Sequence, residues 1–385
     1  MLKGNEPSFS DFTPKYYRIK QILIKEILEG KYLPNDRIPS VTQIMSGYDV
    51  SRLTASRVID ELSKQGITYA VQGKGCFVAS PKDVVETQKI ESKRMILIIP
   101  YLMSDFFAPL IQGVLDVVQV TDYKLETYCS KEDYLIETRL LSKCLEEPIA
   151  GLILIPSSCE EDYRHLFQIQ KKGIPVVLAH RNLNNYNFDR VVFNNVKGAR
   201  DAVEYLLKEE HRKIAFIGAN KNNSVVQERL EGYKKAFEKN GLEVDPNLIY
   251  IIEEKIEDNI VENETHRIIE ELINNKTEFT AIFTTDDGLA YYAKAALNNK
   301  GLKVPDDISL VGYGDFTSSK SLNPPLTTVG VDMHDLGKQA VKMLFKRINS
   351  KMQLESLDSY NVESKFVKTK LIIRDSVKNR GNYVQ

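Results

Sequence analysis

Ser51, Arg52, Thr54, Ser56 and Arg57 crowd one short polar stretch. Serine ahead of an apolar-periodic run is a helix N-cap, so these side chains fall on the first turns of a helix. A guanidinium there offers a planar fork that matches two acceptors on a guanine edge, and a threonine can meet a phosphate or a thymine methyl. When a helix enters a DNA groove, its N-terminal residues face base edges and flanking groups hold phosphates. Arg52 is therefore the leading candidate for reading a base. Ser40 caps the preceding helix, which carries Gln43. Further on, Gln72-Gly73-Lys74-Gly75 separates two β-rich runs as a hairpin turn. Gly73 at its tip allows close backbone approach, with Gln72 or Lys74 reaching the adjacent minor groove.

Catalysis has no comparable constellation. The sequence lacks G-x-x-x-x-G-K-[ST], G-x-S-x-G and H-E-x-x-H, it has no G-x-G-x-x-G after a strand, and its five histidines stand far apart. We expect neither an enzyme nor a cofactor. Cys76, Cys129, Cys144 and Cys159 form no C-x-x-C pair, so no zinc site or disulfide framework is expected.

The elements that must position the basic stretch are legible. Ile19, Ile22, Leu23 and Ile27 recur at helical spacing from Tyr17 to Glu29, and Gly30 stops the helix. Val41 and Ile44 mark a second helix, and Ala55, Val58, Ile59 and Leu62 form the stripe of a third. The runs Ile67 to Val71 and Cys76 to Ala79 complete a layout of three helices and a hairpin, that of a winged helix. Residues 81–93 read as a polar linker after a domain at 16–80 and a tail at 1–15.

From residue 94 the pattern changes. Continuous apolar runs at Met95–Ile99, Gly151–Ile155, Pro175–Leu178, Lys213–Ile217, Thr280–Phe283 and Ile308–Val311 suit buried parallel strands. Helical segments separate them: 110–120, 134–146, 198–209, 227–240, 263–274 and 288–299. Such alternation predicts an α/β fold, whose ligands sit at the carboxyl ends of the strands. The strands are too many for one small sheet, so we expect two lobes within 94–378: lobe 1 about 94–194 and 332–355, lobe 2 about 195–331 and 356–378.

The 385 residues, 42% hydrophobic, suffice for more than one core. Residues 1–80 carry 11 Lys/Arg against 8 Asp/Glu, a net +3 within a chain of net charge −1. No apolar run approaches the roughly 20 residues of a membrane span, so a cytoplasmic location without membrane contact is expected.

Gly30, Leu33-Pro34, Ile38-Pro39-Ser40, Val50-Ser51-Arg52 and Gly73-Lys74-Gly75-Cys76-Phe77-Val78 recur in the order of the GntR-type winged helix-turn-helix, which residues 17–79 resemble. Residues 94–376 resemble the effector domain of the LacI/GalR family. The resemblance rests on Gly151–Pro156, Gly173–Val177, Arg229-Leu230-Glu231-Gly232-Tyr233, Val304–Tyr313, Pro324–Val329 and Leu371–Ser376. It implies a winged head before a two-lobed, periplasmic-binding-protein-like body. The implied function is transcriptional repression: binding of double-stranded operator DNA, released by a small-molecule effector. A monosaccharide is implied, with L-arabinose or another pentose favoured and a nucleoside or purine as the alternative.

Carried over by position, the resemblance places Asp105 and Phe106 on one cleft wall, His180 and Phe193 near the crossover, and Arg229, Asp286 and Asp315 on the other lobe. His180 stands where relatives usually have Asp, Asp286 where many have Asn, and Gly314 where they have Asp, which implies altered ligand chemistry. In the head, Thr42 and Ser56 stand where relatives often have Arg, leaving Gln43 and Arg57 as possible substitutes. The resemblance also implies a homodimer, with Leu110–Val118 and Leu140–Leu145 as its surfaces. A transport binding protein shares the body fold, but its export signal and its lack of a DNA-binding head do not match this chain.

Overall fold

The computed structural model describes residues 15–64, 67–71, 73–79, 92–159, 161–253, 258–349 and 361–381. The chain forms two compact units, Met1–Glu91 and Ser92–Gln385. Gln72, most of the expected tail and most of the expected linker lie outside the described residues.

In the first unit, α1 (Lys15–Leu28), α2 (Val41–Tyr48) and α3 (Arg52–Lys64) precede an antiparallel hairpin, β1 (Thr68–Val71) and β2 (Gly75–Val78). Ile19, Leu23, Ile44, Ala55, Val58, Leu62, Cys76 and Val78 interlock as one core. Each helix contributes the stripe that its 3.6-residue period predicts. Asn35–Ile38 runs along the hairpin: Asn35 N–H donates to Val78 O at 2.8 Å and Ile38 N–H to Cys76 O at 3.0 Å. Arg37 lies across Gly75, where φ is +119° and a methyl group would stand 2.6 Å from the guanidinium. Only glycine fits both demands.

The second unit alternates strand and helix: β3 (Arg94–Ile99), α4 (Ala108–Val118), β4 (Lys124–Cys129), α5 (Tyr134–Glu146), β5 (Gly151–Leu154), α6 (Arg164–Lys171), β6 (Val176–Ala179) and β7 (Asp189–Phe193). The chain continues through α7 (Asn195–Lys208), β8 (Ile214–Ala219), α8 (Ser224–Lys239), β9 (Ile249–Ile252), α9 (Asp258–Asn274), β10 (Ala281–Thr284), α10 (Asp287–Asn299) and β11 (Ser309–Gly314). It ends with α11 (Thr317–Ser321), β12 (Thr327–Val331), α12 (Met333–Asn349), β13 (Ser364–Val367) and β14 (Thr369–Ile372). Two six-stranded sheets result, ordered β4-β3-β5-β6-β7-β13 in lobe 1 and β9-β8-β10-β11-β12-β14 in lobe 2. All pairings are parallel except β12 with β14.

The chain crosses between lobes near Asn194, Asp332 and Lys368. The last crossing corrects the expected assignment of 356–378 to lobe 2: β13 pairs with β7, so Ser364–Val367 belong to lobe 1. The central strands coincide with the predicted apolar runs. Strands β4, β13 and β14 interrupt their apolar residues with polar or charged ones, β9 is an apolar run of which only Ile252 is buried, and β7 and β12 open on polar residues; these six lie outside the predicted runs.

Helix α4 packs on α12 so closely that a methyl on Gly113 would stand 2.0 Å from the His334 carbonyl oxygen, and one on Gly337 2.2 Å from that of Leu110. Leu110, Val114 and Val118 accordingly belong to the lobe 1 core, while Leu115 on the same helix is exposed. On α5, Leu141 and Cys144 are likewise core.

Candidate functional site

The first unit presents its polar edge at the start of α3. The Ser51 hydroxyl accepts from Thr54 N–H at 3.2 Å and lies 2.9 Å from the Thr54 hydroxyl, so the two define the first turn. Arg52 and Leu53 stand exposed beside this cap, Leu53 at 82%. The unpaired N–H groups and positive dipole end of α3 favour a phosphate there. Sequence reasoning overlooked Leu53 because a leucine in a helical stretch reads as core; its solvent-facing position at the tip suits a thymine methyl.

Two expected DNA contacts have structural work. Gln43 closes a capping box with Ser40: its Oε1 accepts the Ser40 N–H at 2.8 Å. Arg57 lies 3.9 Å over the Tyr16 ring and pins α3 to α1. Ser56 is half-buried. At the wing, Lys74 N–H closes the turn to Val71 O at 2.9 Å, and Gly73 has φ +75°. Arg37 adds a guanidinium beside Gly75, at the turn end of this hairpin.

In the second unit the carboxyl ends of both sheets converge. On the lobe 2 side, α8 carries Arg229, which is buried. Its Nε and Nη2 donate to Asn195 Oδ1 at 3.2 and 3.1 Å, Nη1 donates to Thr285 O, and the guanidinium lies 3.5 Å over the Tyr313 ring. One N–H remains on each terminal nitrogen, a pair spaced for adjacent hydroxyls. Burial lowers the Arg229 pKa, while the charges of Tyr313, Asp286 and Glu228 oppose this. Asp286 caps α10, accepting from Leu289 N–H at 2.8 Å, and burial raises its pKa against the pull of Arg229. The Thr285 hydroxyl is buried with no partner.

The facing wall holds His180, buried after β6 at φ +65°. Its ring sits 5.4, 6.0 and 6.0 Å from those of Phe106, Phe107 and Phe193, and Nδ1 is buried without a partner. Burial, then the charges of Arg181 and Arg229, hold its pKa well below the ordinary histidine value. The imidazole is neutral at pH 7, with one nitrogen to donate and one to accept. Phe106 meets Phe316 of lobe 2 at 5.2 Å across the mouth, and Asp105 is exposed beside it.

Phe193 and Asp315 are corrected. Phe193 is core, backing His180 from within lobe 1. Asp315 gives its carboxylate to Arg374 at 2.5 Å, which in turn donates to Leu326 O at 2.7 Å. Sequence reading missed Asn195, Thr285, Tyr313 and Phe316, whose roles depend on contacts far along the chain. A cavity of about 630 Å³ lined by Lys213, Asp245, Tyr250 and Glu271 lies at the opposite, amino ends of β8 and β9. It contains none of these groups.

The first unit is a winged helix-turn-helix, and the second is a two-lobed body with a cleft at its strand ends. Residues 15–78 match the family model for bacterial regulatory proteins of the gntR family, and residues 203–377 that for the periplasmic binding protein-like domain. The chain thus joins a gntR-family DNA-binding domain to a periplasmic-binding-protein-like domain, the architecture of transcription regulators. It is 26% identical to the arabinose metabolism transcriptional repressor of Geobacillus stearothermophilus over 95% of this chain and 98% of the relative. It is 28% identical to the repressor of the same name from Halalkalibacterium halodurans over 94% and 96%. A putative ribose operon repressor from Burkholderia thailandensis aligns with TM-score 0.63 and 26% identity, covering 73% of this chain and 99% of that one. No helix among the described residues is long and apolar enough to cross a membrane.

Proposed function

We propose that this protein is a cytoplasmic, homodimeric repressor of carbohydrate-utilisation genes, released from its operator by a small sugar, with L-arabinose or another pentose favoured. One observation carries the effector class. Buried hydrogen-bonding groups from both lobes converge on one cleft: the two uncommitted N–H groups of Arg229, the Thr285 hydroxyl, the Asp286 carboxyl and His180 Nδ1, beside the Phe106 and Phe316 rings. Paired hydroxyls satisfy such donors and acceptors, and the C–H face of a sugar suits an aromatic ring. Two curated relatives that span nearly the whole chain are named for arabinose metabolism, which supports a pentose.

In the head, Arg52 reads a base, Ser51 and Thr54 hold phosphate at the start of α3, and Lys74 follows the groove from the wing. A sugar that favours one lobe arrangement weakens the operator by the same factor by which the operator weakens the sugar. A two-fold dimer favours a pseudo-palindromic operator. Fluorescence anisotropy on the DNA upstream of the protein's own gene tests the reading, with L-arabinose, other pentoses, hexoses, adenine and guanosine as candidate effectors. Tight, salt-sensitive binding released by one sugar is the expected result. Release by a purine alone would replace the effector class, and absence of specific binding would refute the regulator.

A further inference from the structure

Beside Arg229 on α8, Glu228 divides its carboxylate between two lobes. Oε1 accepts from Asn182 Nδ2 at 3.0 Å and Oε2 from Asn195 Nδ2 at 2.7 Å. Asn182 follows β6 in lobe 1, two residues after His180, and Asn195 opens α7 at the first crossing. The chemistry of this chain is directional. Arginine has no acceptor, so Asn195 must turn Oδ1 toward Arg229 and Nδ2 toward position 228. Position 228 therefore needs an acceptor. The result is one polar line from lobe 1 to the guanidinium: Asn182, Glu228, Asn195, Arg229.

The surrounding contacts dock lobe 1 on the same end of α8. Asn182 N–H donates to Ser224 Oγ at 2.8 Å, Asn184 Nδ2 to Gln227 Oε1 at 3.1 Å, and Cys159 N–H to Asn222 O at 2.8 Å. The lobe 2 partners in these bonds fall between Asn222 and Glu228, immediately before the arginine.

We propose that Glu228 is a positioning residue that couples the orientation of Arg229 to the docking of lobe 1 on α8, so that one carboxylate both aims the effector-binding fork and latches the cleft. This rests on the cleft being the effector site. Asn182 Oδ1 is buried without a partner. A glutamine at 228 can therefore accept from Asn195 and, once the Asn182 amide flips, donate to that oxygen. An alanine can do neither. Glu228→Gln keeps the line while removing the charge, and Glu228→Ala breaks it.

The test uses the full-length protein with nitroxides at Met103→Cys and Ser318→Cys, exposed positions on either side of the mouth, in a Cys129→Ser background. Inter-lobe distances are read by double electron–electron resonance without added ligand, after near-ultraviolet circular dichroism confirms folding. The expected result is a longer, broader distribution for Glu228→Ala and a wild-type distribution for Glu228→Gln. An Ala variant with the wild-type distribution, or a Gln variant shifted like Ala, overturns the latch. With L-arabinose as probe, the half-release concentration on operator should rise about tenfold for Ala and stay near wild type for Gln. If L-arabinose does not release the wild-type protein, the pentose assignment falls, while the distances still decide the latch.

Discussion

Replacing Arg229 by lysine keeps the positive charge and removes the fork. In the structure three of the five guanidinium N–H groups are committed, to Asn195 Oδ1 and Thr285 O, and two remain for a ligand. A lysine ammonium has three donors on a flexible stem. Once it satisfies Asn195 and Thr285, one donor is left, aimed by neither the Tyr313 ring nor a rigid plane. Hydrogen bonds from a charged group contribute about 1.5–3 kcal/mol each, so losing one ligand contact and the alignment of the other costs about 3 kcal/mol. That corresponds to roughly a 100-fold weaker effector. Titration calorimetry with the sugar that releases wild-type protein measures the loss directly. Thermal unfolding of the same samples verifies that Arg229→Lys remains folded. A folded Arg229→Lys protein with effector affinity within about threefold of wild type would refute the pocket, because less than about 1 kcal/mol would then depend on the fork.

Three further outcomes follow from the geometry. Burial pushes the Glu137 carboxyl up to about 7, against the pull of the Tyr163 and Ser157 hydroxyls, the Ser157 N–H and Arg181. Its folded form holds a proton that the unfolded chain releases near 4.5, so its contribution to stability is complete below that value and is lost as pH rises through 7. Glu137→Gln should therefore improve by about 2 kcal/mol relative to wild type between pH 5 and pH 8 in urea titrations; a pH-independent difference would contradict this. Gly113→Ala forces a methyl against the His334 carbonyl, and backbone cannot yield as a side-chain tip can. It should lower unfolding stability by about 2–3 kcal/mol, and a loss below about 1 kcal/mol would mean that α4 and α12 separate easily. Arg52→Ala should cost about 1–3 kcal/mol on the operator and relax one base-pair position in a gel-shift panel; unchanged affinity would remove it from the interface.

How far the site could be read from sequence depends on the residue. The Ser40 and Ser51 caps and the α3 stripe are local features, and local spacing located them. Gln43 shows the limit: a glutamine three residues after a capping serine is also a capping box, and the structure uses it as one. Asp286 has both features at once, a cap of α10 and a carboxyl facing Arg229. For Asp315 and Phe193 the position in the motif order was informative but the side-chain direction was not. Asp315 turns to Arg374, 59 residues away, and Phe193 turns inward from the end of a buried strand.

Composition, period and motif order by themselves determined a three-helix head with a hairpin, then alternating strands and helices whose carboxyl ends would carry a site. Those features arise within a few residues along the chain, where the 3.6-residue helix, the apolar strand run and the turn glycine act. Only the tertiary structure decided the rest. The assignment of β13 to lobe 1 depends on its pairing with β7, about 170 residues earlier, to which no local pattern points. The pairing of Glu228 with Asn182 and Asn195, and the unpartnered His180 and Thr285 atoms, exist because two sheets fold from interleaved segments and meet at their ends. A hydrogen bond requires a partner within about 3 Å, and in this protein the partners that define the cleft are supplied by the crossings between lobes.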